Sequence, residues 1–156
     1  MSLDTKLFMQ EQFERRKQDF PVPQLKDWFP KGEKPIWPIW SMTGAEIGRA
    51  NEAAESAPIV DKLFEALLAS NDKNAISEVR KLIGRDENKP EAIAKRIYHL
   101  QFGTQSPPGC SLEVAVRLCD NFPVLFLEIT NAILALSGQG FSKKKLTPSG
   151  KTPKSS

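Results

Sequence analysis

Few residues in this 156-residue chain are suited to covalent or acid–base chemistry. The one histidine, His99, follows Tyr98 near the end of a helical pattern. To serve as a general base it needs a nucleophile or a carboxylate brought beside it by tertiary structure. A histidine near a helix C-terminus also has a purely structural use, because it complements the last carbonyls. The two cysteines, Cys110 and Cys119, are nine positions apart and lack the second ligand pair of a zinc site. Cys119 falls on an apolar stripe, where a small buried thiol is the ordinary occupant. Nothing beside Cys110 in the sequence marks it as an activated thiol. Glu91, Glu113 and Glu128 are isolated acids, not a matched acid/base pair. Glu128 stands out because its segment is otherwise apolar, and it reads as part of a solvated face. Gly103 and Gly109 bracket a loop with two prolines, but no lysine–hydroxyl pair follows to hold phosphate and magnesium. These residues predict no catalytic group, no metal ligand, no cofactor and no enzyme.

The stronger signal is aromatic. Trp28, Trp37 and Trp40 fall within 13 residues, with Phe29 among them. Large rings bury much area at low rotamer cost, so they serve both as staples for small extended elements and as anchors for partners. A second apolar concentration runs from Phe122 through Leu125, Phe126, Ile129, Ile133 and Leu136. It fits a core helix, or one that is half core and half interface. The residues selected as partner-binding candidates are Trp28, Trp37, Trp40, Phe122, Phe126, Ile129 and Ile133.

Charge is unevenly spread. The chain carries 22 basic and 19 acidic residues, a net charge of +3. Five of the lysines (Lys143, Lys144, Lys145, Lys151 and Lys154) lie in residues 143–156, which contain no acid. The remaining 17 basic residues face 19 acids, so residues 1–142 carry −2. The basicity belongs to the tail, and salt-sensitive phosphate contacts there compete with a plain solubilising role. No helix pattern shows the basic polar face of a recognition helix, so nucleic acid is not the expected partner. No apolar run is long enough for a membrane span. The opening residues lack the apolar core of a signal peptide, and a cytoplasmic location is expected.

The elements that position these residues are mostly helical. A helix is expected to about Lys17. Residues 20–40 hold five prolines and read as two short strands around a turn at Lys31-Gly32-Glu33-Lys34. Thr43 and Glu46 have the spacing of a capping box that opens the next helix. Helical stripes follow at Ile59–Leu68, Ile76–Ile83 and Ala92–Leu100. Ser111 caps a stripe of Leu112, Ala115, Val116 and Cys119, and Pro123 opens the apolar helix. The expected fold is mainly α: a compact bundle of five or six short helices over residues 1–142. A small extended or hairpin element lies at about 20–40, and a flexible, disordered basic tail over 143–156.

The order of these features resembles the tail assembly chaperones of long-tailed, siphovirus-type bacteriophages. The resemblance is carried by SLDTKLFMQEQFERR, by VPQLKDWFPKGEKPIWPIWSMTGAEIGRANEAAE, by the helical body through Leu100, and by FPVLFLEITNAILALSGQG before a lysine-bearing tail. It covers most of the chain. It implies a small, non-enzymatic, mainly helical late protein of the host cytoplasm that is not retained in the mature virion. The implied partners are the tape measure protein, which it keeps soluble, and the major tail tube protein, which it helps recruit. A programmed frameshift that yields a longer form of the same chain is also implied, and Lys143–Lys145 are compatible with an adenine-rich slippery site. No catalytic residue is carried over. Two other readings stand beside it: a nucleic-acid-associated regulator that uses the basic tail, and a helical adaptor that forms a homo-oligomer.

Overall fold

The computed structural model describes residues 2–54 and 90–144, with side chains over 2–53 and 92–144. The expected stripes at Ile59–Leu68 and Ile76–Ile83, and residues 145–156 of the tail, lie outside the described residues. Within them the protein is mainly α, with two small antiparallel sheets.

The N-terminal helix is shorter than its sequence pattern suggests. Helix α1 spans Thr5–Gln10 and is capped by Asp4, whose Oδ1 accepts from the Leu7 N–H at 3.0 Å. The chain then becomes extended instead of continuing helically to Lys17. Strand β1 (Phe13–Glu14) and strand β2 (Lys17–Pro21) follow. Pairing partners far along the chain take their backbone groups: β1 with β4 (Ser142–Lys143), and β2 with β3 (Ile36–Trp40). Tertiary pairing overrides the weak local helix preference here.

The β2–β3 register runs from Lys17 opposite Trp40 to Pro21 opposite Ile36. The expected extended element therefore exists, but its first strand precedes the segment assigned to it. Residues Pro23–Trp28 instead form a 3-10 helix with Pro23 at its start and Leu25 buried. Proline presets φ for a first turn, and Pro23 has no N–H to leave unpaired there. Gly32, at φ +89, turns the chain back toward β3. The Val22 N–H then closes the loop by donating to the Pro35 carbonyl at 2.8 Å.

The far side of β3 is also occupied. Ile39 bridges Thr104, the Gln105 N–H donates to the Pro38 carbonyl at 2.9 Å, and Gln105 Nε2 donates to the Ile39 carbonyl at 2.9 Å. Pro38 has no N–H to donate to a ladder. In the structure it contributes only an acceptor to Gln105.

Four helical features match their sequence signals closely. Helix α2 (Gly44–Ala54) opens on the Thr43/Glu46 capping box: the Glu46 N–H donates to Thr43 Oγ1 at 3.1 Å, and the Thr43 N–H donates to Glu46 Oε1 at 2.9 Å. Helix α3 spans Pro90–Gly103. Helix α4 (Leu112–Asn121) is capped by Ser111, whose Oγ accepts from the Val114 N–H at 3.2 Å. Helix α5 (Pro123–Gly138) begins at Pro123 and buries Leu125, Phe126, Leu127, Ile129, Thr130, Ile133 and Leu136.

Helix α5 packs against α3, α4 and β3, and α2 packs against α3. The core gathers Ile93, Ile97 and Leu100 of α3, Ala115 and Leu118 of α4, and Val22, Leu25 and Ile39 from the sheet region. Removing a side chain the size of Phe126 or Leu127 from water is worth about 1.5–3 kcal/mol. The expected domain boundary at residue 142 cuts through β4. Lys143 and Lys144 belong to the fold, since the Lys144 N–H donates to the Gln12 carbonyl at 2.8 Å.

Candidate functional site

A groove opens between the 3-10 helix, β3 and α4, and encloses about 630 Å³. The 3-10 helix and the residue after it place Leu25, Trp28 and Phe29 on one wall, and β3 adds Trp37. Helix α4 supplies Val114 and Leu118, and Phe122 enters from the α4–α5 junction. Arg117 and Asn121 form the polar rim, where Asn121 Nδ2 donates to the Arg117 carbonyl at 2.9 Å. An apolar floor with a polar border is the usual composition of a site that captures apolar groups.

Trp28 is the conspicuous residue of this groove. It is 69% exposed, although Leu25 one turn earlier is buried. Its ring meets Phe122 edge-on, with centroids 5.9 Å apart and planes at 75°. That geometry is favourable for an aromatic pair. It holds the indole in place without covering its outer face. Val114, also in the groove, is 49% exposed.

Trp37 lines the same groove but is anchored. Its Nε1 donates to Thr104 Oγ1 at 2.8 Å, and Thr104 Oγ1 donates to the Leu100 carbonyl at 2.6 Å. A half-buried indole whose N–H has a fixed acceptor makes a rigid wall.

Trp40 lies elsewhere. Its Nε1 donates to the Phe102 carbonyl at 2.8 Å, and the Arg15 guanidinium sits 4.4 Å above its ring. This cation–π contact clamps the start of β2 onto β3.

Phe126, Ile129 and Ile133 are fully buried. Their selection as partner-binding residues is corrected by this burial. Helix α5 is apolar on almost every face, and α3, α4 and β3 cover the faces carrying these three side chains. Of the α5 candidates only Phe122, at its N-cap, reaches the groove. Trp28, Trp37 and Phe122 are thus brought together, while Trp40, Phe126, Ile129 and Ile133 are held in the fabric of the fold. Sequence reasoning missed Val114 and Arg117, because their α4 pattern shows which residues are apolar but not which lie beside Trp28.

Burial holds His99, Cys110 and Cys119 in their neutral forms. His99 is buried, and its Nδ1 has no hydrogen-bond partner among the described residues. Burial, with the nearby Arg96 and Lys95 charges, pushes its pKa down to about 4, so the ring is neutral at pH 7. Burial pushes the Cys110 thiol up to about 11. Burial and Asp120 push Cys119 up to about 12. Both thiols are far from the thiolate form that attacks or ligates. Glu128 is exposed, as a solvated face requires. Arg96 is desolvated by burial, which lowers its pKa, and donates to Thr130 Oγ1 at 3.1 Å and to Asn131 Oδ1. Among the described residues no three His, Cys, Asp or Glu side chains gather as a metal site, and no helix is long and apolar enough to cross a membrane.

Comparison with protein-family models, with curated proteins and with solved structures finds no match to this chain.

Proposed function

We propose that the protein is a non-enzymatic tail assembly chaperone of a long-tailed bacteriophage. In this reading the aromatic groove holds apolar faces of the tape measure protein and keeps that long chain soluble before the tail tube forms around it. Recruitment of the major tail tube protein, action in the bacterial host cytoplasm, departure before the virion matures, and a longer frameshifted companion belong to the same proposal. So does a compact bundle of five or six helices as the frame of the whole chain.

The observation that carries the reading is Trp28, exposed above a groove whose other walls are Trp37, Phe122 and Leu25. A rigid aromatic anchor left uncovered beside a recess suits the capture of an amphipathic helix, whose residues at helical spacing present one apolar face. Many copies holding successive stretches of one elongated chain would gain from multivalency, with no energy source required. The resemblance in the Pro/Trp segment and in the apolar helix before a lysine-bearing tail supports the choice of partner.

Co-expression with a tape measure fragment tests the proposal. The full chain is expected to retain the fragment in the soluble fraction and to co-purify with it. Trp28→Ala and Phe122→Ala are expected to lose it while keeping the native circular dichroism spectrum. A fragment that stays insoluble beside well-folded protein would count decisively against the reading.

A further inference from the structure

We propose that Thr104 is a positioning residue for the aromatic groove: its hydroxyl sets the Trp37 indole in the orientation an occupant meets, without touching the occupant. The inference rests on the groove being the binding site proposed above, and adds the residue that fixes its β3 wall.

Thr104 follows the last residue of α3 and is only 4% exposed. Trp37 lines the groove and Thr104 does not. The Thr104 hydroxyl carries one proton, and it is committed to the Leu100 carbonyl at 2.6 Å. That commitment leaves the oxygen as an acceptor for Trp37 Nε1, 2.8 Å away. An indole has one polar group, and it can only donate. Turning the Trp37 ring over would therefore leave a half-buried N–H without its acceptor. Among the described residues, Trp37 is the one ring of the groove tied by a hydrogen bond; Trp28 and Phe122 are held by their edge-on ring contact.

The backbone around Thr104 is secured by other bonds. Ile39 bridges Thr104, the Gln105 N–H donates to the Pro38 carbonyl, and Gln105 Nε2 donates to the Ile39 carbonyl. None of these uses the hydroxyl. Losing the hydroxyl leaves β3 against the end of α3 and frees the Trp37 side chain alone. Trp40 gives the contrast, since its Nε1 donates directly to the Phe102 carbonyl and does not depend on Thr104.

A side chain fixed before binding spares the complex the entropy of fixing it. For one large side chain that saving corresponds to roughly two- to tenfold in affinity. Thr104 contributes this gain through Trp37, from outside the groove.

Thr104→Val and Thr104→Ser in the full-length protein test this. Valine keeps the β-branched shape and removes both bonds, whereas serine keeps the hydroxyl. In isotope-labelled protein the Trp37 indole N–H is the NMR signal missing from Trp37→Phe. It is expected to exchange slowly with solvent in the parent and in Thr104→Ser, and faster in Thr104→Val. Binding is read by fluorescence anisotropy with a labelled tape measure fragment and with a labelled amphipathic peptide bearing a leucine face, each counted where Trp28→Ala abolishes it. Thr104→Val should weaken binding roughly two- to tenfold, and Thr104→Ser should bind like the parent. In a Trp37→Phe background the change to valine should have no further effect, because no indole N–H remains to be held. Circular dichroism checks each fold, and Thr104→Ala takes the place of a valine variant that loses the parent spectrum. Equal weakening in both backgrounds would overturn the proposal, since Thr104 would then act on stability and not through Trp37. So would undiminished binding in Thr104→Val whose Trp37 signal exchanges fast. If the parent binds the leucine peptide but not the fragment, the tape measure reading fails and the peptide still decides the role of Thr104. If it binds neither, both proposals fall.

Discussion

Arg15 and Glu46 form a two-pronged ion pair, Nη1 to Oε1 at 2.7 Å and Nη2 to Oε2 at 3.1 Å, across 31 positions of sequence. The side chains are only 23% and 18% exposed. Arg15 also donates to the Ser41 carbonyl at 3.1 Å and stacks over Trp40, so one residue ties the β1–β2 segment to β3 and to the start of α2. Burial alone would push the Glu46 carboxyl up. The hydrogen bonds from Arg15 and Thr43 and the Arg15 charge together outweigh it, and hold the pKa below its ordinary 4.5. Arg15→Ala is expected to cost about 1–3 kcal/mol, because the carboxylate stays partly buried without its bidentate partner. Urea denaturation at neutral pH checks this. A depressed carboxyl pKa gives stability that is present above the unfolded value and lost as pH falls through the folded one. The cost of Arg15→Ala should therefore shrink below pH 4.5.

Gly103 and Ile133 show why α3 can lie so close to α5. A Cβ at Gly103 would sit 2.7 Å from Ile133 Cδ1 and 2.9 Å from Cγ1. Ile133 is fully buried and β-branched, so it has little freedom to move aside. Gly103→Ala is expected to destabilise by about 1–3 kcal/mol through overpacking, despite the better helix propensity of alanine. Adding Ile133→Ala removes Cγ2, Cγ1 and Cδ1 together, the three atoms that such a Cβ would meet, so the double variant should lose less than the sum of the two single ones. Additive losses in that cycle would show that the close approach is not the cause.

Which parts were legible from the sequence follows from how local their determinants are. The Thr43/Glu46 box, the Ser111 cap and the Pro123 start depend on residues within one turn, and each was readable. The pairing of β1 with β4 joins Glu14 to Ser142, and no local pattern announces it. The same limit explains the tryptophans. Trp28, Trp37 and Trp40 are the same residue type in one short stretch, yet one is exposed, one walls a groove and one clamps Arg15. Periodicity likewise placed Phe126, Ile129 and Ile133 on one helix but could not say whether that face meets the core or a partner. With nearly all of α5 apolar, only its neighbours α3, α4 and β3 decide.

Trp28 gives the groove an optical probe. In a Trp37→Phe/Trp40→Phe background the remaining emission comes from Trp28, whose 69% exposure predicts a red-shifted band and ready quenching by iodide. Adding a tape measure fragment should shift the band to the blue and protect it from iodide. Each removed tryptophan also loses a hydrogen bond, Trp37 to Thr104 and Trp40 to Phe102, worth about 0.5–1.5 kcal/mol. The background protein should therefore be less stable but folded. An unchanged Trp28 band in the presence of bound fragment would place the contact away from the groove.

Burial of His99 makes the fold sensitive to acid. Burial comes first among the causes, and the Arg96 and Lys95 charges add to it, so the imidazole keeps a pKa of about 4 when folded against 6.5 for the free side chain. The unfolded chain then binds a proton at a pH where the folded chain does not. Stability falls as pH drops below 6.5 and reaches its full loss below about 4. The difference amounts to about 3 kcal/mol at 1.36 kcal/mol per pKa unit. His99→Gln removes the titration but keeps a polar, neutral side chain. Its urea midpoint should change much less than that of the parent between pH 6.5 and pH 4.5, above the window in which Glu46 protonates. Two parallel midpoint curves over that interval would mean that His99 takes up its proton as readily in the folded chain as in the unfolded one, and that burial does not hold its pKa down.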